Sequence, residues 1–159
     1  MNVLAIIAEY NPMHNGHVFQ INEAKKITNA DFVITCMGGN FTQRGNTSIV
    51  SKFEKTKMAL LNGSDMVIEL PTIYSVSSSE NFAYGAIKIL KELNFVTHIS
   101  FGIEEENIQK LQDIAELLQN EPLGYCKILK EQLDLGVSYP EARAKAVSIY
   151  LNDNKYETI

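Results

Sequence analysis

Short runs of apolar residues recur at regular steps along the first two thirds of the chain. They read NVLAIIA from Asn2, DFVITCM from Asp31, DMVIELP from Asp65 and THISFG from Thr97. Each run is rich in β-branched residues, which is typical of strands buried on both faces of a sheet. The pattern therefore predicts four strands.

Longer segments with helical spacing separate these runs. We predict helices over Asn15–Thr28, Ser51–Leu61 and Ser79–Leu93, the second with a capping box from Ser51 to Glu54. The predicted apolar faces are Val18, Ile21, Ala24 and Ile27, then Phe53, Met58 and Leu61, then Phe82, Ala86, Ile89, Leu90 and Leu93. Alternating strands and helices indicate an α/β fold, a Rossmann-like parallel sheet flanked by helices.

The last third of the chain has a helical pattern only. Its segments read ENIQKLQDIAELLQN, LGYCKILKEQLDLG and SYPEARAKAVSIYL, with a second capping box expected from Ser138 to Glu141. We therefore expect residues 1–103 to form the α/β core and residues 104–159 to form a helical extension of the same domain. The closing NDNKYETI is polar and lacks a helix stop signal, so we expect a longer natural protein.

Composition narrows the class of protein. The 159 residues carry a net charge of -5, but the part up to Asn62 has six Lys or Arg against four Asp or Glu, a net +2. The acidic net charge argues against a protein with a uniformly basic surface that binds nucleic acids. Cys36 and Cys126 are far apart and indicate a reducing compartment, with Cys36 in the core. No apolar run has the length of a membrane span, so we expect a cytoplasmic protein without a membrane partner.

Polar segments follow every predicted strand. They read EYNPMHNGH, MGGNFTQRG, ELP and FGIEEE, in chain order. Because the carboxyl ends of parallel strands meet at one edge of a sheet, these four segments converge there. Ligands of open α/β sheets bind at that edge, so the convergence predicts the functional site.

The first of these segments precedes a helix, whose free N–H groups and positive dipole end favour an anion such as a polyphosphate. Gly16 would allow close approach to the backbone, and His14 and His17 could donate hydrogen bonds to its oxygens. Two alternatives stay open. Zinc needs three or four ligands, and His98 lies at the wrong end of the sheet. The histidines could also be incidental residues of a helix cap.

Other candidate residues lie in the second and third segments. Arg44 could clamp a phosphate or carboxylate, or be an exposed loop residue. We expect Lys52 to face the pocket and Lys55 and Lys57 to be solvated. Glu69 could be functional or could cap a helix.

These segments carry a resemblance to a known family. NPMHNGH after a first strand is similar to the HIGH-type nucleotidyltransferases. EYNPMHNGH, GGNFTQRG, SKFEKTKMALLNGSDMVIELP and FGIEE, in that order, resemble the N-terminal part of the bacterial tRNA(Met) cytidine acetate ligase family. The resemblance implies a parallel-sheet nucleotidyltransferase fold.

The resemblance also implies a reaction. Acetate and ATP, with Mg²⁺ carried on the ATP, would give acetyl-adenylate, and the acetyl group would pass to N4 of the wobble cytidine of elongator tRNA(Met). By residue match, Glu9, Asn11, His14, Gly16 and His17 would lie in the ATP-binding stretch, and Gly102 in the backbone that receives the nucleotide. From the residues themselves we expect His14, His17 and Arg44 to be catalytic and no residue to bind a metal directly. We expect the whole ATP site to consist of Ile7, Ala8, Glu9, Tyr10, Asn11, Pro12, His14, Asn15, Gly16, His17, Gln20, Lys52 and Gly102.

Two other functions stay open from the residues alone. One is a nucleotidyltransferase that acts on a small phosphorylated substrate, and the other is a nucleotide-binding module without turnover. We expect most of the tRNA surface to lie outside this chain, since its residues offer no broad basic face.

Overall fold

The computed structural model describes residues 1–103 and 107–152. The chain divides into two compact units, Met1–Gly102 and Ile103–Ile159. The elements of the first unit are β1 Val3–Ala8, α1 Asn15–Thr28, β2 Phe32–Gly38, α2 Lys52–Leu61, β3 Met66–Leu70, α3 Thr72–Ser75, α4 Ser79–Glu92 and β4 His98–Ser100.

The four strands form one parallel sheet in the order β3-β2-β1-β4. Leu4 of β1 pairs with Val33 of β2 on one side and with His98 of β4 on the other. The chain therefore builds the sheet outward from β1 through β2 to β3, and then returns to place β4 on the opposite side of β1. This arrangement confirms the predicted α/β fold with a Rossmann-like parallel sheet.

Helices cover both faces of the sheet. Alternate side chains of β1 point in opposite directions, so Leu4 and Ile6 pack with Ile21 of α1. Val3 and Ala5 belong to a different cluster, which buries Cys36 and reaches Ala86 and Leu90 of α4. Burial raises the pKa of the Cys36 thiol to about 11, as expected for a core cysteine.

The predicted burial of the strands holds only at the centre of the sheet. Both faces of β1 and most of β2 are buried, whereas Met66 of β3 and Ile99 of β4 are exposed. The difference follows from strand order, because β3 and β4 form the two edges of the sheet.

The predicted apolar faces of α1 and α2 are partly wrong. Ile27 lies in the last turn of α1 and is exposed, and Phe53 and Leu61 are both 75% exposed on α2. The residues that α2 buries are Lys55 and Ala59, one turn apart. Because Ala59 is small, α2 lies close to the sheet on that side. The prediction for α4 is confirmed, since Phe82, Ile89 and Leu93 pack against the cluster around Ala86 and Leu90.

The second unit contains three helices within its described residues: α5 Ile108–Asn120, α6 Leu123–Asp134 and α7 Tyr139–Leu151. Its core contains Leu117, Tyr125, Ala146 and Val147. Residues 104–106 of the fourth polar segment and 153–159 of the closing NDNKYETI lie outside the described residues. No helix in the described ranges is both long and apolar enough to cross a membrane.

The two predicted capping boxes form only in part. The Ser51 hydroxyl accepts a hydrogen bond from the backbone N–H of Glu54 at 3.3 Å, which is half of the expected box. Ser138 occupies the N-cap of α7 but makes no cap hydrogen bond with its side chain. The second box is therefore wrong, because the Glu141 carboxylate instead accepts a bond from Lys145 Nζ at 2.8 Å.

Gly85 gives a test of the packing between α3 and α4. A Cβ at this buried position would overlap the ring and Cβ of Tyr74. We predict that Gly85→Ala lowers the free energy of unfolding by about 1–3 kcal/mol, even though alanine favours helices. Urea denaturation followed by circular dichroism measures the change. Asn81→Ala, at an exposed position of the same helix, is the control, and equal stability of both variants would contradict this packing.

Candidate functional site

The strand order creates a crevice at the carboxyl ends of the strands. The chain leaves β1 toward β2 but returns to β1 with β4, so the connections diverge at the carboxyl ends of β1 and β4. Open α/β sheets bind ligands at such a switch point. The segment from Glu9 to His14 follows β1 there, and Phe101 and Gly102 follow β4.

The two histidines form the start of α1. His14 is the N-cap, and its Nδ1 accepts a hydrogen bond from the backbone N–H of Gly16 at 3.1 Å. The Nδ1 of His17 accepts a bond from the backbone N–H of His14 at 3.2 Å. The two rings stack with centroids 3.8 Å apart. Both histidines therefore cap the helix, and the same hydrogen bonds hold the two rings in place.

This capping determines which ring nitrogens are available. Because each Nδ1 accepts a hydrogen bond, a neutral ring carries its proton on Nε2. Among the described residues, neither Nε2 has a hydrogen-bond partner. Burial, and to a lesser degree the neighbouring His14, lower the pKa of His17. The pair therefore presents two Nε2–H donors at the positive end of a helix, an arrangement suited to phosphate oxygens.

Glycine at position 16 leaves room for the His14 ring. A Cβ there would lie 3.0 Å from Cε1 and 3.1 Å from Nδ1 of His14. The sequence analysis gave this glycine a role in admitting a ligand, and the structure adds that its open side faces the His14 imidazole. The buried ring of Tyr10 packs against His17, with the two ring centroids 4.8 Å apart.

The opposite wall of the crevice comes from β4. Gln20 of α1 donates from Nε2 to the Ser100 hydroxyl at 3.2 Å, which links the helix to the end of that strand. Among the described residues other than its two chain neighbours, no heavy atom lies within 4 Å of the position that a Cβ of Gly102 would take. These residues leave the space beside Gly102 open.

The structure corrects the interpretation of Lys55. We expected this residue to be solvated, but it is fully buried. Its Nζ donates to the carbonyl oxygens of Gly38 at 2.9 Å and Glu9 at 3.4 Å, and to the Ser48 hydroxyl at 3.2 Å. Burial lowers the pKa of Lys55, while the carboxylates of Glu9 and Glu69 partly oppose this shift. Lys57 is exposed, as expected.

Sequence reasoning missed Lys55 because a lysine between other lysines on a helix usually faces water. The available signal was Ala59, one turn later. A small residue on the side of a helix that faces a sheet marks a close approach, and Lys55 shares that side.

Further hydrogen bonds hold the loop between β2 and α2 against the segment after β1. The Glu9 carboxylate accepts a bond from the backbone N–H of Gln43 at 3.0 Å. The Asn11 side-chain oxygen accepts one from the backbone N–H of Ile49 at 2.7 Å. The polar segments after β1 and β2 therefore meet, as the sequence predicted.

The remaining candidate residues occupy varied positions. Ile7 and Ala8 end β1 and are partly buried, while Pro12 and Asn15 are exposed before and at the start of α1. Arg44 is exposed, and within the described residues no hydrogen bond or salt bridge holds its guanidinium. Among the described residues, no hydrogen bond or salt bridge joins Arg44 to the histidine pair.

Lys52 and Glu69 form an ion pair, with Nζ 2.8 Å from Oε2. Glu69 does not cap a helix, because the N-cap of α3 is Pro71 and has no side-chain hydrogen bond. The capping alternative for Glu69 is therefore wrong. In residues 1–103 and 107–152, no group of three or more His, Cys, Asp or Glu side chains is placed to hold a metal ion.

Comparison with known proteins bears on this site. The family model for HIGH nucleotidyl transferases matches residues 1–158. The chain belongs to this family.

Relatives of this nucleotidyltransferase domain carry a more specific name. A tRNA(Met) cytidine acetate ligase of Clostridium botulinum strain Hall is 53% identical over 155 residues, which cover 98% of this chain and 38% of that protein. The protein of the same name from Thermoanaerobacter sp. strain X514 is 48% identical over the whole chain and 40% of its own length. The chain therefore spans about two fifths of the curated relatives it matches.

Solved structures agree with the nucleotidyltransferase fold. TmcAL of Thermotoga maritima in its apo form is 36% identical and has a TM-score of 0.95, over 99% of this chain and 38% of that one. The same protein bound with alpha-thio ATP has a TM-score of 0.93, over 99% of this chain and 39% of that one.

Lys55 allows a stability test of the site. We predict that Lys55→Met lowers the free energy of unfolding by about 1–3 kcal/mol, because the buried carbonyl groups of Glu9 and Gly38 lose their donor. Urea denaturation at neutral pH measures the loss. Lys57→Met, an exposed lysine on the same helix, provides the control and should change stability little. Equal effects of the two substitutions would contradict the structural role of Lys55.

The lowered pKa of His17 predicts a pH dependence of stability. The unfolded chain binds a proton at His17 near pH 6.5, whereas the folded chain binds it only at lower pH. The stability that depends on neutral His17 is thus present above pH 6.5 and is lost as the pH falls below it. We expect the free energy of unfolding to fall more from pH 7.5 to 5.5 in the unsubstituted protein than in His17→Asn. Parallel pH profiles would refute this.

Proposed function

We propose that this chain forms the ATP-binding part of a tRNA(Met) cytidine acetate ligase. The full protein would activate acetate with ATP and transfer the acetyl group to N4 of the wobble cytidine of elongator tRNA(Met). The observation that carries the proposal is the stacked pair of His14 and His17 at the start of α1, at the switch point of the sheet. Relatives of that name at 53% and 48% identity support it.

The first step needs alignment and charge neutralisation rather than a protein nucleophile. An acetate oxygen attacks the α-phosphorus of ATP, the bond from that phosphorus to the bridging oxygen breaks, and pyrophosphate leaves. The Nε2–H groups of His14 and His17 would donate to the phosphate oxygens on which charge develops. Mg²⁺ would arrive as part of the ATP substrate.

The rest of the ATP site follows from the surroundings of this pair. The proposed binding stretch runs from Ile7 to Gln20 and includes Asn11, which holds the neighbouring loop. The open space beside Gly102 would receive the nucleoside end of ATP. Lys52 bonds Glu69 through one of its three ammonium protons, and the other two could contact phosphate.

The Arg44 guanidinium is exposed, and no hydrogen bond or salt bridge holds it among the described residues. A planar guanidinium binds phosphate or carboxylate through two parallel hydrogen bonds. We propose that Arg44 closes on the triphosphate or on acetate. Residues 1–103 would form the nucleotidyltransferase core, residues 104–159 a helical extension, and the tRNA would bind mainly elsewhere in a cytoplasmic enzyme.

Acetate-dependent exchange of pyrophosphate into ATP tests the first step. We expect the full-length protein to catalyse this exchange, and His17→Ala to reduce its rate by about 10²–10³-fold, since it removes one donor to the developing charge. His98→Ala is the matched control, because His98 lies at the amino end of β4, opposite the strand ends that form the crevice.

The same assay separates the alternatives. A nucleotide-binding module would give no exchange, and an enzyme for a phosphorylated small molecule would give exchange that ignores acetate. Near-normal exchange by a folded His17→Ala variant, with the fold checked by circular dichroism, would remove the assigned role of the histidine.

A further inference from the structure

A second cavity lies one strand away from the histidine pair. It has a volume of about 310 Å³ and lies over the carboxyl ends of β2 and β3, beside α2. Its lining includes Met37, Val67, Thr56, Phe53, Lys52 and Glu69. Neighbouring strands are about 4.8 Å apart, so a ligand here would lie next to one bound over β1. The volume is at the lower end of the roughly 300–1,000 Å³ range of small-molecule sites.

Glu69 is held in a fixed position in this cavity. Its Oε2 accepts a bond from Lys52 Nζ at 2.8 Å, and the carboxylate packs against Gly39, where any Cβ would overlap Oε1. Glycine at position 39 therefore makes room for this carboxylate. The side chain is 45% exposed, and among the described residues Oε1 has no hydrogen-bond donor. One oxygen is thus oriented and available to a ligand.

Phe53 supplies an aromatic surface to the same cavity. It is 75% exposed although it is apolar and lies on a helix that packs against the sheet. The Lys52 ammonium lies 5.7 Å from the centre of its ring. An exposed phenyl ring beside an oriented carboxylate is a typical combination for a planar ligand with an amino group, because the ring stacks and the amine donates.

We infer that this cavity receives the target cytosine of the acceptor RNA, with the base stacked on Phe53 and its N4 amine donating to Glu69. The inference rests on the proposed function, which requires a cytosine amine to meet acetyl-adenylate beside the histidine pair. Carboxylates accept hydrogen bonds from cytosine N4 in known readout. Uracil carries an oxygen at that position, so Glu69 would repel it, and the cavity would select cytosine.

Glu69 then has a place in the second step of the reaction. The N4 nitrogen forms a bond to the carbonyl carbon of acetyl-adenylate, and the bond from that carbon to the phosphate oxygen breaks. AMP leaves with the electron pair, and the proton lost from N4 passes to Glu69 Oε1. A base is useful here because the lone pair of this amine is delocalised into the ring, and positioned proton transfer contributes about 10²–10⁴-fold.

Two rates measured on the full-length protein test this inference. Acetate-dependent ATP–pyrophosphate exchange reports the first step, and acetyl transfer from labelled acetate to tRNA reports both steps. We expect Glu69→Gln to retain exchange and to slow transfer by about 10²-fold or more. Glu54→Gln, an exposed glutamate on α2, is the matched control and should leave both rates unchanged.

A second pair of variants keeps the test valid if Glu69→Gln does not fold. Phe53→Ala removes the stacking surface from an exposed position and should raise the KM for tRNA roughly 5- to 100-fold while exchange is kept. Leu61→Ala, equally exposed on the same helix, should raise it little. Equal KM values for these two variants would overturn the inference.

The outcomes distinguish the two proposals. Absence of acetate-dependent exchange in the unsubstituted protein would refute the proposed function, and the inference with it. Exchange in the unsubstituted protein, together with unchanged transfer by folded Glu69→Gln, would overturn the cytosine site alone. Loss of exchange by folded Glu69→Gln would also overturn it, because the carboxylate would then act in the first step.

Discussion

The buried ammonium of Lys55 joins three segments of the chain that meet at the carboxyl ends of β1 and β2. It donates to the carbonyl of Glu9 after β1, to the carbonyl of Gly38 at the end of β2 and to the hydroxyl of Ser48 in the following loop. A buried charge persists only when such partners surround it. The histidine pair on one side and the Glu69 cavity on the other both depend on the loops that this group holds together.

The central part of the fold could be predicted from the sequence. Uninterrupted apolar runs indicated β1 and β2, and the spacing of apolar residues indicated α1 and α4, because burial on two faces and burial on one helical face leave distinct patterns. The same reasoning was wrong for α2. Phe53 and Leu61 are apolar but exposed, and Lys55 is charged but buried. A periodic pattern identifies a face by its chemistry, whereas the packing of α2 is set by a small residue, Ala59, and by oxygens that come from distant loops.

The site was predictable to a similar degree. Polar strand ends predicted where these segments meet, and His14 and His17 were predicted as the central pair, while the strand order came from the structure. The sequence analysis treated phosphate binding and helix capping as alternatives. In the structure the two are compatible, because each ring caps the helix through Nδ1 and keeps Nε2 as a donor. The pairing of Lys52 with Glu69, and the close approach of Glu69 to Gly39, join residues from α2, β3 and the loop after β2. No local sequence pattern encodes such a meeting, so the second cavity could not be predicted from the sequence.

The hydrogen bond from the Gly16 amide to His14 has a consequence for how the helix end reaches a ligand. The amide that would otherwise face an anion is already engaged at Nδ1. Hydrogen bonds in a chain polarise one another, so the imidazole presents the positive end of the helix one ring-width farther out, at Nε2. Lysine at position 14 would bring more charge but no such relay. The histidine thus acts as an extension of the backbone dipole, and its strength as a donor is set by the helix behind it.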